Sequence, residues 1–563
     1  MMGRKFLGYA ISVYRNYYTV RSKGDTNVEI LTNKSINKPE FVAEPEPRMI
    51  RWSEEQEKVL GHVRRGHSVF ITGGAGTGKT FLLEHIIKML KESYGESRVF
   101  ATAPTHIAAF RLGGQTLHSF SGMGVNNDNY YDDLSCVVGD EEAWRRWRMA
   151  AVLVIDEINM VEGFFFRRLE CLARDVRQSD EAWGGIQVIA SGDFLLLPPI
   201  PKEVLGKRFY DFAFESSWEK SFDIQIELTK NYRQSEERFT KLLENIRRAK
   251  MDSEDLHLLE QRASASASAE LDPSVVYLYP RIQDAVDVNW EIVESLPEEK
   301  VEYEALGRGK GHYHIKKRGN PKYFWKKKQS RLGLSDDLLV LCKGARVMLV
   351  ENLDVSNQLV NGATGIVTGF MKNDGRCHIG KLNPDKLLPI VKFDSSGLEA
   401  VIQPITKCMM HQKKVKTLSS KRQLPLTLAW GRLIHKCQGM SFDRVHVGLT
   451  SRVCEYGMVY AAISRVTTLD GLHLSGFQPS KVKAHPRALE FYEHFRQHQQ
   501  EREAAGDTIV VADKNKQNLL SVSTSDWEKA IVEYKELRKK EFKTFEYWDS
   551  DGSDESGKQK VIT

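Results

Sequence analysis

Gly73-Gly74-Ala75-Gly76-Thr77-Gly78-Lys79-Thr80 decides the fold, because of what stands on either side of it. The stretch is entered from the apolar run Ser68 to Thr72 and is followed by a helical pattern from Phe81 to Leu90. Strand, glycine turn and helix in that order predict a phosphate-binding loop. Its glycines let successive backbone N–H groups face a β-phosphate, and the helix adds the positive end of its dipole. In such a loop Lys79 bridges the β- and γ-phosphates, and the Thr80 hydroxyl is offered to Mg²⁺. The expected ligand is a nucleoside triphosphate.

From Trp52 to about Pro201, short β-rich runs (Ser68 to Thr72, Val99 to Ala103, Ala151 to Ile155, Ile186 to Ser191) alternate with helix-like stretches. This predicts an α/β fold with a doubly wound parallel sheet, whose ligands bind at the carboxyl ends of the strands. Asp156, Glu157 and Asp193 end strands and are expected to face the nucleotide. Asp156 is positioned to hold Mg²⁺, and Glu157, one residue on, to orient the attacking water as general base. Hydrolysis also needs positive charge where the γ-phosphoryl group sheds it. Arg233 in LTKNYRQ (228–234) and Arg465 in AAISR (461–465) are candidates for fingers reaching from a second lobe. Taken alone, an arginine in either place is more often a surface salt bridge.

A chain of 563 residues predicts three or four domains. No apolar run approaches the roughly 20 residues of a membrane span, so no membrane association is expected. The balance of 81 Lys+Arg against 75 Asp+Glu gives only +6, so any nucleic-acid surface must come from local clustering. One such cluster lies between Glu304 and Asp336, where Lys316, Lys317, Arg318, Lys322, Lys326, Lys327, Lys328 and Arg331 surround Tyr313, Tyr323, Phe324 and Trp325. Basic side chains of that kind track phosphates while aromatics stack on bases, although a solvated lysine-rich loop has the same composition. Seven cysteines without a Cys-x-x-Cys pair read as reduced thiols rather than a zinc ribbon or a disulfide scaffold.

The first twenty-four residues contain Arg4, Lys5, Arg15, Arg21 and Lys23 and no acid, the bias of a mitochondrial transit peptide; a plain leader and a nuclear location are the alternatives. The low-complexity run Arg262 to Glu270 predicts a flexible linker, and the glycine-punctuated stretch Gly344 to Ile405 a small β-barrel. Near the end, Ser525-x-x-Glu528 predicts the capping box of an amphipathic helix with Trp527, Ile531, Tyr534 and Leu537 on one side, before an acidic tail.

The ordered series WSEEQ (52–56), GGAGTGKT, APTHIAA (103–109), GGQTLHS (113–119), IDEINM (155–160), GGIQV (184–188), GDFLLLPP (192–199), LTKNYRQ, LVNGATG (359–365), AWGRLIHKCQGM (429–440) and AAISR resembles the motifs of the Pif-type (petite integration frequency) DNA helicases, over about residues 50 to 480. RRLECLARDVR (167–177) resembles the stretch that separates that family from its RecD-like cousins. The resemblance implies two RecA-like P-loop lobes with ATP and Mg²⁺ between them. Gln56 would read the adenine, Lys79, Thr80, Asp156 and Glu157 would serve phosphates and metal, and Arg233 and Arg465 would be fingers. Implied boundaries are a leader at 1–48, a first lobe at 49–204 with a wedge insertion, and a second lobe at 205–343 and 424–480. A Src-homology-like barrel at 344–423 and an extension at 481–563 complete the chain. The implied activity is 5′-to-3′ movement of a monomer on single-stranded and forked DNA, in replication, repair, recombination or genome maintenance, with RNA as an alternative track. His118, Lys436 and Gln438 would line the cleft between lobes, contacting the DNA strand and coupling it to the nucleotide. Met458, Tyr460, Ser464, Thr467 and Phe477 fall in a stretch to which the family assigns DNA contact.

The chain departs from the family at Leu196 and Met458, where the motifs carry glutamines. A leucine cannot donate a hydrogen bond to a γ-phosphate, and losing one preorganised donor costs about 10² to 10³ in rate. A slowed or loosely coupled ATPase is therefore expected, and the rival reading is an ATP-gated nucleic-acid-binding scaffold.

Overall fold

The structure, a computed structural model, describes residues 28–30, 50–123, 130–204, 207–266, 270–308, 338–354, 357–373, 382–383, 385, 387–410, 418–450, 455–504, 523, 525–534 and 536. The phosphate loop leaves a sheet of six parallel strands in the order Gln115–Thr116, Val99–Ala103, Val152–Ile155, Gln187–Ser191, Val69–Gly73, Ile224–Leu228. The central strands Val69–Gly73, Val152–Ile155 and Gln187–Ser191 are buried along their whole length, which is why they read as unbroken apolar runs instead of alternating ones. Their side chains divide by parity between two cores. Phe70, Leu153 and Ile155 pack with Trp147 and Phe166 on one face, and Val69, Ile71, Val152 and Val154 with Leu82, Leu83 and Ile86 on the other. The last strand, Ile224–Leu228, carries the first lobe past its expected end at residue 204, because hydrogen bonds along the phosphate-loop strand claim it.

A second parallel sheet, in the order Gly431–Leu433, Val276–Tyr279, Val445–Gly448, Leu472–Ser475, forms the other RecA-like lobe from two segments well apart in the chain. Between them lies a six-stranded antiparallel sheet in the order Val28–Ile30, Glu399–Ile402, Leu387–Phe393, Thr364–Lys372, Arg346–Leu349, Leu426–Leu428. Among the described residues its two edge strands do not pair with each other, so the sheet is open where a closed barrel was expected. One edge is covered by Val28–Ile30, which places part of the expected leader in the folded body. Leu306–Arg308, Leu418–Gln423 and Ile405–Met410 make a separate three-stranded sheet. The expected linker is corrected in its first half: Arg262 to Ser266 end the helix Ser253–Ser266, since alanine favours helix and Leu258 and Leu259 anchor the helix in the second-lobe core. The aromatic-basic cluster after residue 308, the first 27 residues and the acidic tail lie outside the described residues. Cys171, Cys342 and Cys437 are thiols outside any disulfide. No described helix is long and apolar enough to cross a membrane.

Two C-terminal helices return to the first lobe. Residues 525–534 lay Trp527, Ile531 and Tyr534 on its core, as their spacing predicts, and the Trp527 indole N–H donates to the Val138 carbonyl at 2.9 Å. Their cap is Ser523 with Asp526, two residues before the expected pair. The helix Pro486–Ala504, unread in the sequence, inserts Tyr492 and Ala488 into the same core, with Phe491 stacked on Phe214 at 4.6 Å.

The helix Gly163–Arg177 carries the family-separating stretch, and its last residue has a structural role. The Arg177 guanidinium donates to four main-chain carbonyls, of Gly184 (2.6 Å), Trp147 (3.1 Å), Arg148 (2.9 Å) and Ala150 (3.0 Å). It satisfies the end of the helix Glu141–Met149 and the turn before Gln187–Ser191 together. Arg177→Ala leaves these buried acceptors without a donor, and each orphaned group costs about 1 to 3 kcal/mol. We expect the first denaturant-unfolding transition to lose about 3 kcal/mol or more; a loss below about 1 kcal/mol would show that the carbonyls find other partners.

Candidate nucleotide site at the lobe seam

The phosphate loop brings its chemistry together as the sequence predicts. The Lys79 ammonium reaches the carbonyls of Gly73 (2.7 Å) and Gly74 (2.9 Å), and the Thr80 hydroxyl donates to Asp156 Oδ2 at 3.1 Å. Ser191 donates to the other Asp156 oxygen, Oδ1, so the carboxylate is aimed by its neighbours. Glu157 follows in the left-handed region (φ 52°, ψ 44°), an uncommon conformation for a residue with a side chain and one found at working sites. Burial, and then the Asp156 charge, push its carboxyl up to about 7 against the pull of Lys79 and Arg465. The Thr80 hydroxyl and the Asp156 carboxylate are the oxygen donors that would suit a Mg²⁺ here.

The second half of the site arrives from the turn after Ile224–Leu228. Tyr232 N–H donates to the Gly76 carbonyl at 2.8 Å, so the Asn231–Gln234 turn rides directly on the phosphate loop. Gly76 has φ +90°, and a Cβ there would lie 2.6 Å from Asn231 Oδ1 and 2.9 Å from Arg233 Cβ; only glycine admits this approach. Gln56 is buried, held by the capping box with Ser53, and accepts the Tyr232 hydroxyl at 3.3 Å. The Tyr232 ring is 49% exposed and passes within 4 Å of the Gly78 position, which makes it a flat platform beside Gln56. The sequence reading missed Tyr232, although an aromatic inside the arginine motif was the signal.

Arg233 and Arg465 both face this seam. Arg233 donates to the Ser464 carbonyl at 2.9 Å, and Arg465 to the carbonyls of Ala461 (2.9 Å) and Met440 (3.3 Å). Burial lowers both, Arg233 to about 9; the like charge of Arg465 lowers Arg233 further, while Glu157 supports both. Two guanidiniums buried against one another, with Glu157 the carboxylate acting on both, form a cradle for a further anion.

A third arginine was not read from the sequence. Arg247, the last residue of the helix Glu237–Arg247, makes a bidentate pair with Asp193, Nε to Oδ2 and Nη2 to Oδ1, each at 2.9 Å and fully buried. Asp193 therefore ends its strand at the site as expected but engages Arg247. Burial opposes its charge, the guanidinium outweighs burial, and its carboxyl sits below the usual range. The helix belongs to the second-lobe core through Phe239, Leu242, Leu243 and Ile246, so the pair spans the seam.

The structure redistributes the residues expected on DNA. His118 and Lys436 are exposed, His118 stacked on Phe165 at 4.2 Å, and Thr467 and Phe477 are half-buried on the second lobe. The other four are corrected. Gln438 donates to Glu157 Oε2 at 2.8 Å, and the Tyr460 hydroxyl accepts the Ala75 N–H at 2.7 Å, so both act on the nucleotide side. Met458 and Ser464 are buried, because the helix Met458–Ile463 is enclosed on all sides between the phosphate loop and the second-lobe sheet. Leu196 and Met458, the two departures, share one apolar cluster with Ala75, Leu197 and Val459. The lobes meet there so closely that a Cβ at Gly457 would lie 2.2 Å from the Leu196 carbonyl oxygen.

Comparison with known proteins places this geometry. Residues 51–256 match the PIF1-like helicase family, and residues 330–370 match the DNA helicase Pif1 2B domain, which falls on the inserted antiparallel sheet. The chain is 37% identical over 477 residues to the ATP-dependent DNA helicase PIF1 of Homo sapiens, covering 81% of this chain and 68% of the relative. It spans about two thirds of the length of the curated relatives it matches. Its fold is similar to the crystal structure of Pif1 helicase from Candida albicans (TM-score 0.68, 33% identity, 80% of this chain and 100% of that one). It is also similar to that of Pif1 helicase from Bacteroides in complex with ADP-AlF3 and ssDNA (TM-score 0.60, 27% identity, 81% and 99%). Two parallel-sheet lobes, a phosphate loop at their seam and arginines reaching it from the second lobe agree with these likenesses, and the chain belongs to the PIF1-like helicase family.

Proposed function

We propose that this chain is an ATP-dependent DNA helicase that binds ATP between its lobes and moves 5′-to-3′ along single-stranded DNA, opening the duplex at forks. The observation that supports this best is the meeting beside Glu157 of Arg465, from the second lobe, and Arg233, on the turn that rides on the phosphate loop and donates across the seam to Ser464. Relatives named ATP-dependent DNA helicase, and a similar structure described with ADP-AlF3 and ssDNA, support the substrate classes.

The chemistry follows from the side chains. The phosphate-loop amides and Lys79 bind the β- and γ-phosphates, and Gln56 with the Tyr232 ring accepts the adenine. Mg²⁺ held by Thr80 and Asp156 would neutralise charge on the bridging phosphate oxygens. Glu157, ionised, takes the proton of a water lined up behind the γ-phosphorus, with Gln438 fixing the carboxylate through Oε2. Arg233 and Arg465 donate to second-lobe carbonyls at Ser464, Ala461 and Met440. Turning them onto the γ-phosphate exchanges those bonds for stronger, charge-assisted ones, and thereby ties phosphate charge to the position of the second lobe. Loss of that charge on hydrolysis releases the lobe. Separating a base pair costs about 1.4 kcal/mol in stacking, far less than one ATP supplies.

Arg233→Ala and Arg465→Ala should each retain ATP binding and lower DNA-stimulated hydrolysis by about 10³ or more. Both should abolish unwinding of a 5′-tailed duplex that the unaltered chain opens. An unaltered chain that binds ATP and DNA but opens neither 5′-tailed nor 3′-tailed duplex would support the scaffold instead, and activity confined to an RNA strand would move the substrate to RNA. Tyr232→Ala is expected to raise the KM for ATP about tenfold with kcat kept, since a base stack contributes about 1 to 3 kcal/mol. An unchanged KM would remove Tyr232 from the adenine site.

A further inference from the structure

The helix Pro486–Ala504 lies outside every motif, yet Tyr492 brings it to the centre of the site. Its side chain is 1% exposed, and its hydroxyl lies 2.5 Å from Thr72 Oγ1, 3.2 Å from the Phe194 nitrogen and 3.3 Å from Asp193 Oδ1. Thr72 is the residue before the phosphate loop on its strand, and Asp193 and Phe194 follow the neighbouring strand, Gln187–Ser191. One arrangement of protons satisfies all three contacts. The Thr72 hydroxyl and the Phe194 N–H donate to the tyrosine oxygen, and the tyrosine proton goes to the Asp193 carboxylate, which can only accept. The Arg247 guanidinium, bound to that carboxylate, stands 5.2 Å from the tyrosine ring. One turn further, Arg496 makes a bidentate pair with Glu227 at 2.9 and 2.8 Å, and Glu227 also lies 3.5 Å from Arg247.

The same charges act on the catalytic lysine: Asp193 supports and Arg247 opposes the Lys79 ammonium, which burial drives down. A hydroxyl that fixes Asp193 against the phosphate-loop strand therefore fixes the field at Lys79, without touching nucleotide. We infer that Tyr492 is a positioning residue for ATP hydrolysis, joining the phosphate-loop strand to the seam-spanning Asp193–Arg247 pair, so that the C-terminal helix is a working part of the motor. This rests on the reading of the chain as an ATP hydrolase.

Tyr492→Phe tests it, because the ring and its packing stay while the hydroxyl is lost. In the full chain, steady-state hydrolysis with saturating single-stranded DNA should show kcat reduced about tenfold, with the KM for ATP within about twofold of the unaltered value. The melting temperature should fall by no more than a few degrees. Thr72→Val removes the same hydroxyl contact from the other side, which keeps the test available if the phenylalanine chain folds poorly. It should lower kcat similarly, and the double variant should be no slower than either single one. The inference is overturned by an unchanged kcat in either variant, by a rise in KM alone, or by losses that multiply in the double variant. An unaltered chain that hydrolyses no ATP refutes the hydrolase reading, and the inference with it, before any variant is compared.

Discussion

Seven charges closed into one seam constrain everything else in this molecule. Lys79, Asp156, Glu157 and Asp193 come from the first lobe, Arg247 and Arg465 reach them from the far side, and Arg233 stands on the turn after the last first-lobe strand. Burying such groups is costly unless each finds a partner. Asp193 and Arg247 satisfy each other through two hydrogen bonds, whereas Arg233 and Arg465 share Glu157 and the main-chain carbonyls of the second lobe. The pairing is therefore incomplete where a triphosphate would sit and complete behind it. A buried ion pair is weak evidence of stability, and its value here lies in register: Asp193–Arg247 sets how the helix Glu237–Arg247 meets the phosphate-loop sheet. Arg233 and Arg465, held by main-chain carbonyls, can then answer to phosphate charge.

The apolar part of the seam bears on the two motif departures. Leu196 and Met458 are buried with Ala75, Leu197 and Val459, and the Gly457 backbone touches that of Leu196. The surfaces that would carry glutamines instead pack as hydrocarbon, so the lobes gain contact where they forgo a polar link to phosphate. Glu157, its Gln438 partner and both fingers remain in place around this change. In the proposed reading Glu157 is therefore kept as base and the two guanidiniums as counter-charge, and the altered element is the link between phosphate and lobe closure.

Much of this was legible in the chain because local rules sufficed. The first-lobe strands announced themselves as buried apolar runs, and the Gly73 to Thr80 loop, Asp156 and Glu157 followed from strand ends. Tyr492, Arg247 and Tyr232 were not legible, because their meaning lies in partners far along the chain: 420 residues separate Tyr492 from Thr72, and 54 separate Arg247 from Asp193. Tyr460, Met458 and Ser464 lay in a stretch that the family links to DNA, and Gln438 in a motif expected to couple nucleotide and strand. The fold spends them on the phosphate loop, on Glu157 and on the core, because the helix Met458–Ile463 is sandwiched with no open face. The Ala-Ser run misled in the opposite way: its composition suits a linker, but alanine continues the helix that Leu258 and Leu259 hold in place. One edge of the inserted sheet is covered by a strand from residues 28–30, which no periodicity in that region revealed.

The account stands on phosphate charge being felt across the seam through Arg465 of the second lobe and Arg233, which bonds to it. The direct test is a distance between probes at the exposed positions Glu57, on the first lobe, and Glu260, on the second, followed as a non-hydrolysable ATP analogue with Mg²⁺ is added. The distance should shorten and its distribution narrow in the unaltered chain, and should stay at the nucleotide-free value in Arg465→Ala at analogue concentrations that saturate it. Equal closure in both chains, or no closure in either, would contradict a seam worked by its arginines.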